Sequence, residues 1–232
     1  MDIKQYISQQ KRLYISLVTY LENSDDDDDS SFQDMISILK TQNLLQDKEE
    51  LGHFLRLILN LTEYHHRDDK FIDKIKKILI TIKDEFKPTL SNHELFQIFS
   101  KSKLLLLYLF DEKIIIPDKI ICKYFLNRYE LNSTRYCHFF YPEIKQFVDE
   151  KELKNLEEEL LSINDDIFTS YEEKRHLGEN DSYICSLIRN DSIEEFISYV
   201  NKMNISLLST IKPSIFETNK YLIENESTNL IE

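Results

Sequence analysis

The fold is decided by Asp181–Leu222, DSYICSLIRNDSIEEFISYVNKMNISLLSTIKPSIFETNKYL. Ile184, Leu187 and Ile188 fall at i, i+3 and i+4, one face of a short helix. Asn190 and Asp191 then bring turn chemistry. Ser192 and Glu195 spell S-x-x-E, the spacing of a capping box, in which each side chain satisfies a backbone N–H at a helix start. Ile193, Phe196, Ile197 and Val200 follow at i, i+3, i+4 and i+7, the stripe of a second helix. Two short helices joined by a tight turn bury both stripes only against neighbouring hairpins, which is the logic of a stacked repeat. After Asn201 the helical period fades. Ile211–Leu222 reads either as an extended finger broken at Pro213 or as one more turn capped by Ser214 and Glu217.

The wording around this hairpin adds a resemblance. EEKRHLGEND (Glu172–Asp181), ICSLIRNDSIEEFISYVN (Ile184–Asn201), IKPSIFETN (Ile211–Asn219) and STNLIE (Ser227–Glu232) resemble a large protist family of ankyrin-repeat proteins. Those proteins carry an N-terminal helical domain of unknown function, which the chain from MDIKQYI onward resembles less sharply. The resemblance implies a stretch that opens into ankyrin repeats and a protein–protein interaction role, with no particular partner. On it, Thr228-Asn229-Leu230 overlies the T-P-L start of an ankyrin inner helix, Asn229 replacing proline, and the chain stops in mid-repeat. The plainer reading makes Ser227–Glu232 a frayed tail.

Composition narrows the function classes. The 232 residues hold 29 Lys+Arg against 42 Asp+Glu, a formal charge of −13. Such a chain repels phosphate backbones, so no nucleic acid is expected as partner. Two glycines, four prolines and no alanine suit helices joined by short polar turns. Ankyrin inner helices use small residues where they touch. Leu, Ile, Phe and Tyr here predict irregular hairpins with wider spacing rather than regular copies of a consensus repeat. Cys122, Cys137 and Cys185 are odd in number and lack a C-x-x-C pair, and MDIKQYISQQ is too polar for a signal peptide. A reducing, cytoplasmic setting is expected, in which the N-x-S/T triplets at Asn60, Asn132, Asn180, Asn190, Asn204 and Asn225 are accidents of composition. The apolar run Leu104–Phe110 is far too short for a membrane span.

Along the chain, helices are expected over Ile3–Leu21 (apolar side Ile7, Leu13, Leu17, Val18, Leu21) and Ser30–Asn43 (Phe32, Met35, Ile36, Leu39, with a Ser30/Gln33 cap). Two more follow over Asp47–Tyr64 (Leu51, Phe54, Leu55, Ile58, Leu61) and Asp68–Phe86 (Phe71, Ile75, Ile78, Ile82). Between the first two, Asp25–Asp29 reads as a hydrated loop, lacking the ligand spacing and glycine turn of a calcium loop. Lys74, Lys76, Lys77 and Lys83 interleave with isoleucines as the wet face of an amphipathic helix. Ser91–Ile116 echoes the C-terminal hairpin: Phe99, Leu104, Leu107 and Tyr108 repeat the spacing of Ile188, Ile193, Phe196 and Ile197, around a polar turn at Ser100–Lys103. Helix is expected again over Pro117–Tyr129, Glu143–Val148, a segment striped by Leu153, Leu156, Leu160 and Leu161, and Asp165–Leu177, which Gly178 ends as a C′ residue.

No residue set rises to a catalytic, cofactor or metal site. His65-His66 with His53 points in divergent directions for a metal, and Cys137-His138 lacks a third orienting group for nucleophilic work. Glu157–Glu159 and Asp165-Asp166 read as solvated helix faces. The aromatic run Tyr136–Tyr141 is core first and binding patch second. The sequence therefore predicts an all-α, non-enzymatic interaction module: an irregular helical-hairpin solenoid with ankyrin-like hairpins toward the C-terminus. It divides into an N-terminal helical region (1–90), divergent hairpins (91–180) and an ankyrin-like hairpin with the start of the next repeat (181–232). Its partners are expected to be proteins, and a sticky face around Leu187, Ile193, Phe196 and Ile197 predicts self-association or marginal stability. The alternatives are a structural cap for ankyrin repeats and an enzyme built on Cys137 and His138.

Overall fold

Apolar stripes at a period of 3.6 cover most of the chain, and the structure turns nearly all of them into helices. The computed structural model describes residues 3–22, 29–41, 43–65, 68–127, 133–224 and 228–229, which are helical apart from turns and one two-residue strand pair. The fold is all-α. The chain divides into two compact units, Met1–Phe99 with Glu112–Ile115, and Ser100–Asp111 with Ile116–Glu232.

The first unit contains α1 (Ile3–Glu22), α2 (Asp29–Thr41), α3 (Lys48–Tyr64), α4 (Asp69–Phe86) and α5 (Asn92–Phe99). α1 packs on α2 and α4, and α3 on α4 and α5. The stripe expected for α4 is buried throughout, at Phe71, Ile75, Ile78 and Ile82, while its lysines lie half-exposed or exposed on the other side. Lys77 sits over the ring of Phe32, 4.5 Å from its centroid, the usual way a long cationic side chain covers apolar surface. Phe32, Met35, Ile36 and Leu39 of α2 are buried as expected, and so are Leu51, Phe54, Leu55 and Ile58 of α3; Leu61 is half-buried.

α1 departs from expectation at Ile7, which is exposed. Its core face runs through Leu13, Leu17, Tyr20 and Leu21, and Ile7 lies about a quarter of a turn away from it. Helix starts are capped by Asp47, which accepts from the N–H of Glu49 and Glu50, and by Asp68, which accepts from that of Phe71. α2 begins at Asp29, so Ser30 lies inside it rather than at its cap. Asp25–Asp28 and His66 lie outside the described residues.

The second unit holds α6 (Lys103–Asp111), α7 (Lys119–Leu126), α8 (Ser133–Phe139), α9 (Tyr141–Ile144), α10 (Glu150–Ile163), α11 (Tyr171–Leu177), α12 (Tyr183–Arg189), α13 (Ile193–Met203) and α14 (Lys220–Glu224). Its core is aromatic. Phe125 stacks on Phe140 at 4.7 Å, Phe139 and Phe110 meet Phe140 edge-on at 4.8 and 5.5 Å, and Tyr171 meets Phe216 at 5.2 Å.

Several expected helices are shorter than their stripes. Pro117 precedes the helix instead of opening it, because Asp118 takes the cap, its carboxylate accepting from Ile120 and Ile121 at 2.8 and 2.9 Å. The Glu143–Val148 helix is the short α9, with Pro142 in its first turn. Asp165–Leu177 is helical only from Tyr171: Asn164 folds Asp166 and Ile167 back on itself, and Ser170 is left-handed at φ 59°. In α10, Leu156 and Leu160 are buried, Leu153 half-buried and Leu161 exposed.

The end of the chain carries one further correction. Thr228 and Asn229, laid above on an ankyrin inner helix, form an extended strand, β2 (Thr228–Asn229). It pairs antiparallel with β1 (Thr210–Ile211), Thr210 opposite Asn229 and Ile211 opposite Thr228. Without the proline that presets a helical φ, the Asn229 backbone is free to complete this ladder. Ser227 and Leu230–Glu232 lie outside the described residues.

Candidate functional site

The quoted segments around Asp181 meet in space. α11 ends at Gly178, which sits at φ 70° and returns its N–H to Lys174 at 3.1 Å, the left-handed C-cap expected of it. Its carbonyl accepts from both the N–H and the hydroxyl of Thr218, at 3.0 and 2.7 Å. A Cβ at position 178 would stand 2.8 Å from that hydroxyl oxygen, so glycine is required twice over, by backbone and by neighbour.

Two residues on, the buried amide of Asn180 donates to the Lys212 carbonyl at 2.9 Å and accepts from Ser182 N–H at 3.1 Å. Arg189 donates to the Asn180 carbonyl at 2.8 Å and pairs with Glu179. Lys174 pairs with Asp181 at 3.0 Å. LGEND and IKPSIFETN are therefore two halves of one clasp.

The second fastening is Lys103. Sequence spacing placed it in a polar turn. It opens α6 instead, 1% exposed, and its ammonium donates to the carbonyls of Ile215 at 2.9 Å and Glu217 at 3.1 Å. The rings of Phe139 and Tyr136 lie beneath it at 4.9 and 5.4 Å. A buried ammonium needs such company: carbonyl dipoles and ring faces replace the water it has lost. The available signal was position, since Lys103 shares a helix face with Leu106, Leu107 and Phe110 at i+3, i+4 and i+7.

Arg175 ties α11 to α9: its Nη1 donates to both carboxylate oxygens of Glu143 at 2.7 and 2.6 Å, and its Nη2 to Glu172 at 2.6 Å. Burial pushes the Glu143 carboxyl up, against the pull of that guanidinium.

On this clasped base stands the α12–α13 hairpin, helical as the spacing predicts. α12 closes in a Schellman motif around left-handed Asp191 (φ 51°): Ser192 N–H reaches Leu187 O at 3.0 Å and Asp191 N–H reaches Ile188 O at 3.2 Å. α13 closes the same way at Asn204, with Ile205 N–H on Val200 O at 3.0 Å. The capping box expected of Ser192 and Glu195 is absent, for Ser192 makes no side-chain cap. The apolar stripe is uncovered along one edge. Leu187 and Val200 are buried and Phe196 is half-buried, but Ile188, Ile193 and Ile197 are 47%, 61% and 53% exposed. Leu187 thus leaves the expected face, and Ile188 joins it.

The other candidate positions fall elsewhere. Tyr136, Phe139, Phe140 and Tyr141 are all buried, so the aromatic run is core; burial and its bond to Glu157 push the Tyr141 hydroxyl up to about 12. Cys137 is 3% exposed, and the buried ring of His138 turns its Nε2 to Glu159 at 3.0 Å. His53 and His65 are both exposed, and His65 stacks on Phe71 at 4.1 Å. Among the described residues no group of three His, Cys, Asp or Glu is placed to hold a metal ion, and no helix is long and apolar enough to cross a membrane. No protein-family model, curated protein or solved structure matches the chain.

Proposed function

We propose that the protein is a non-enzymatic interaction module whose working surface is the uncovered edge of the α12–α13 hairpin. The observation that carries this reading is the pairing of Ile188, Ile193 and Ile197 in solvent with a base fastened by Lys103, Gly178, Asn180 and Arg175. A preorganised apolar edge costs little to dock against, because its ordering entropy is lost on folding and not on binding.

The hairpin is also the segment that resembles the ankyrin-repeat family, and its two Schellman turns support an ankyrin-like hairpin in an irregular series. All three cysteines are free, in keeping with a cytoplasmic setting. The test is affinity capture from cell extract with the wild-type chain and with Ile193→Asp/Ile197→Asp. The reading expects a protein retained by the first and lost from the second. Equal retention by both would move the binding surface elsewhere.

A further inference from the structure

One more surface in the molecule combines exposed apolar side chains with charge, and its sign is opposite. On α1, Lys4, Ile7, Lys11, Tyr14, Ile15 and Val18 fall within a third of the helix circumference. Ile7 and Ile15 are 59% and 52% exposed, Tyr14, Lys4 and Lys11 are exposed, and Val18 is half-buried. Arg12 is exposed beside them, and the only acid on the helix is Glu22 in its last turn. In a chain of net charge −13 this is a basic, apolar helix face. Lys4, Lys11 and Arg12 make no ion pair among the described residues.

The α12–α13 edge is the complement. Its exposed isoleucines are bordered by Asp191 in the turn and by Glu194, one turn before Ile197, with Glu195 beside it; all three are exposed and make no ion pair among the described residues. The nearby cations are already engaged: Arg189 with Glu179, Lys174 with Asp181, Arg175 with Glu143 and Glu172. Lys202, in the last turn of α13, is the remaining base of the hairpin.

We infer that the hairpin edge of one copy receives the exposed α1 stripe of a second copy, head to tail, isoleucines against isoleucines and Lys4 and Lys11 against Asp191 and Glu194. This rests on the interaction-module reading and names one occupant of its surface. Two α13 edges meeting each other would set acid against acid, so the like-with-like dimer is disfavoured. A head-to-tail contact uses two different patches and leaves one of each free after every addition, so association continues beyond two copies unless the ring closes.

The decisive experiment uses the full chain and two variants in sedimentation velocity across a concentration series. Ile7→Asp/Ile15→Asp spoils only the α1 stripe and Ile193→Asp/Ile197→Asp only the hairpin edge. All four positions are exposed, so both variants should keep the wild-type helical circular dichroism. The wild type is expected to grow past a dimer with concentration, and less so at high salt. Each variant alone should stay monomeric, and an equimolar mixture should form a dimer that stops there, since each partner contributes its one intact patch.

Charge reversal gives the second arm. Lys11→Glu and Glu194→Lys should each weaken association several-fold, and their mixture should restore it. Dimerisation of the Ile7→Asp/Ile15→Asp variant by itself would overturn the inference in favour of an edge-to-edge pair. A wild type monomeric at every concentration would overturn it too. If that monomer still captures a protein that Ile193→Asp/Ile197→Asp loses, the module reading stands without it.

Discussion

α6 and α13 follow the same spacing in sequence and end with opposite surfaces. α6, KLLLLYLFD, buries six of its nine residues, and only Asp111 is exposed. α13, IEEFISYVNKM, buries Val200 alone. The positions that echo one another rank alike within each helix: Leu107 is more buried than Leu104 and Tyr108, as Phe196 is than Ile193 and Ile197. What differs is the level. α6 has leucines where α13 has glutamate and serine, and its lysine is drawn inward by the carbonyls of the 215–217 segment. Leu105, Leu106 and Leu109 are fully buried while the echoed Leu104 and Tyr108 are half-buried, so the residues between the echoed positions, and not the shared spacing, decide whether the helix is enclosed.

Truncation separates the two helices most. Leu106→Ala in α6 should cost about 2–5 kcal/mol, the range for fully buried leucines, whereas Ile197→Ala in α13 should change stability by less than about 0.5 kcal/mol. Urea unfolding of both variants, at a concentration low enough to keep the chain monomeric, measures this. Similar losses at the two sites would mean that the α13 edge is covered in solution.

Removing the charge that fastens α6 comes next. Lys103→Met keeps the bulk of the side chain but leaves the Ile215 and Glu217 carbonyls without their donor, a loss of roughly 2–3 kcal/mol. Amide exchange in 210–224 should accelerate more than exchange in α12, because that segment loses its hold on α6. Gly178→Ala should cost about 1–2 kcal/mol, since alanine is strained at a left-handed φ and its methyl meets Thr218. In combination with Thr218→Ser, which leaves the hydroxyl donor in place and removes a methyl, part of that cost should return. No recovery would assign the penalty to the backbone together with the hydroxyl contact that Thr218→Ser retains.

Much of this was legible before the structure, and the failures have physical causes. The α3 and α4 stripes and the Gly178 cap follow from period and φ preference, which act locally. Lys103 and the Thr218–Gly178 clasp join residues 112 and 40 positions apart, and neither periodicity nor turn chemistry carries that distance. Ile7 was assigned inward because apolar residues on α1 form two adjacent stripes, and nothing in their spacing says which one meets α2 and α4. The uncovered hairpin edge was anticipated, with Leu187 and Ile188 exchanged.

The starts of α5 and α13 differ as well, by less. Of the four S-x-x-E stretches in the chain, Ser91-Asn92-His93-Glu94 opens α5 and Ser192-Ile193-Glu194-Glu195 opens α13. Only the first closes as a capping box: Glu94 accepts from the N–H and hydroxyl of Ser91 at 3.0 and 2.8 Å, and the Ser91 hydroxyl oxygen accepts from Glu94 N–H at 3.3 Å. At the second, the Ser192 N–H is already given to Leu187 as the last bond of α12, so Glu195 has no donor to reach for. A two-residue turn makes one residue end a helix and begin the next, and the ending wins.

Ser91→Ala is therefore expected to cost about 1 kcal/mol and Ser192→Ala close to nothing. The Lys48 ammonium and the Ser91 donors hold the Glu94 carboxyl at about 2, below its ordinary 4.5. A depressed carboxyl stabilises the fold fully above the ordinary value and loses that contribution as it protonates on the way down to the depressed one. The difference in urea midpoint between wild type and Glu94→Gln should accordingly shrink as the pH falls from 4.5 toward 2. A loss at Ser192→Ala equal to that at Ser91→Ala would show that the second box closes in solution and that α13 begins as firmly as α5.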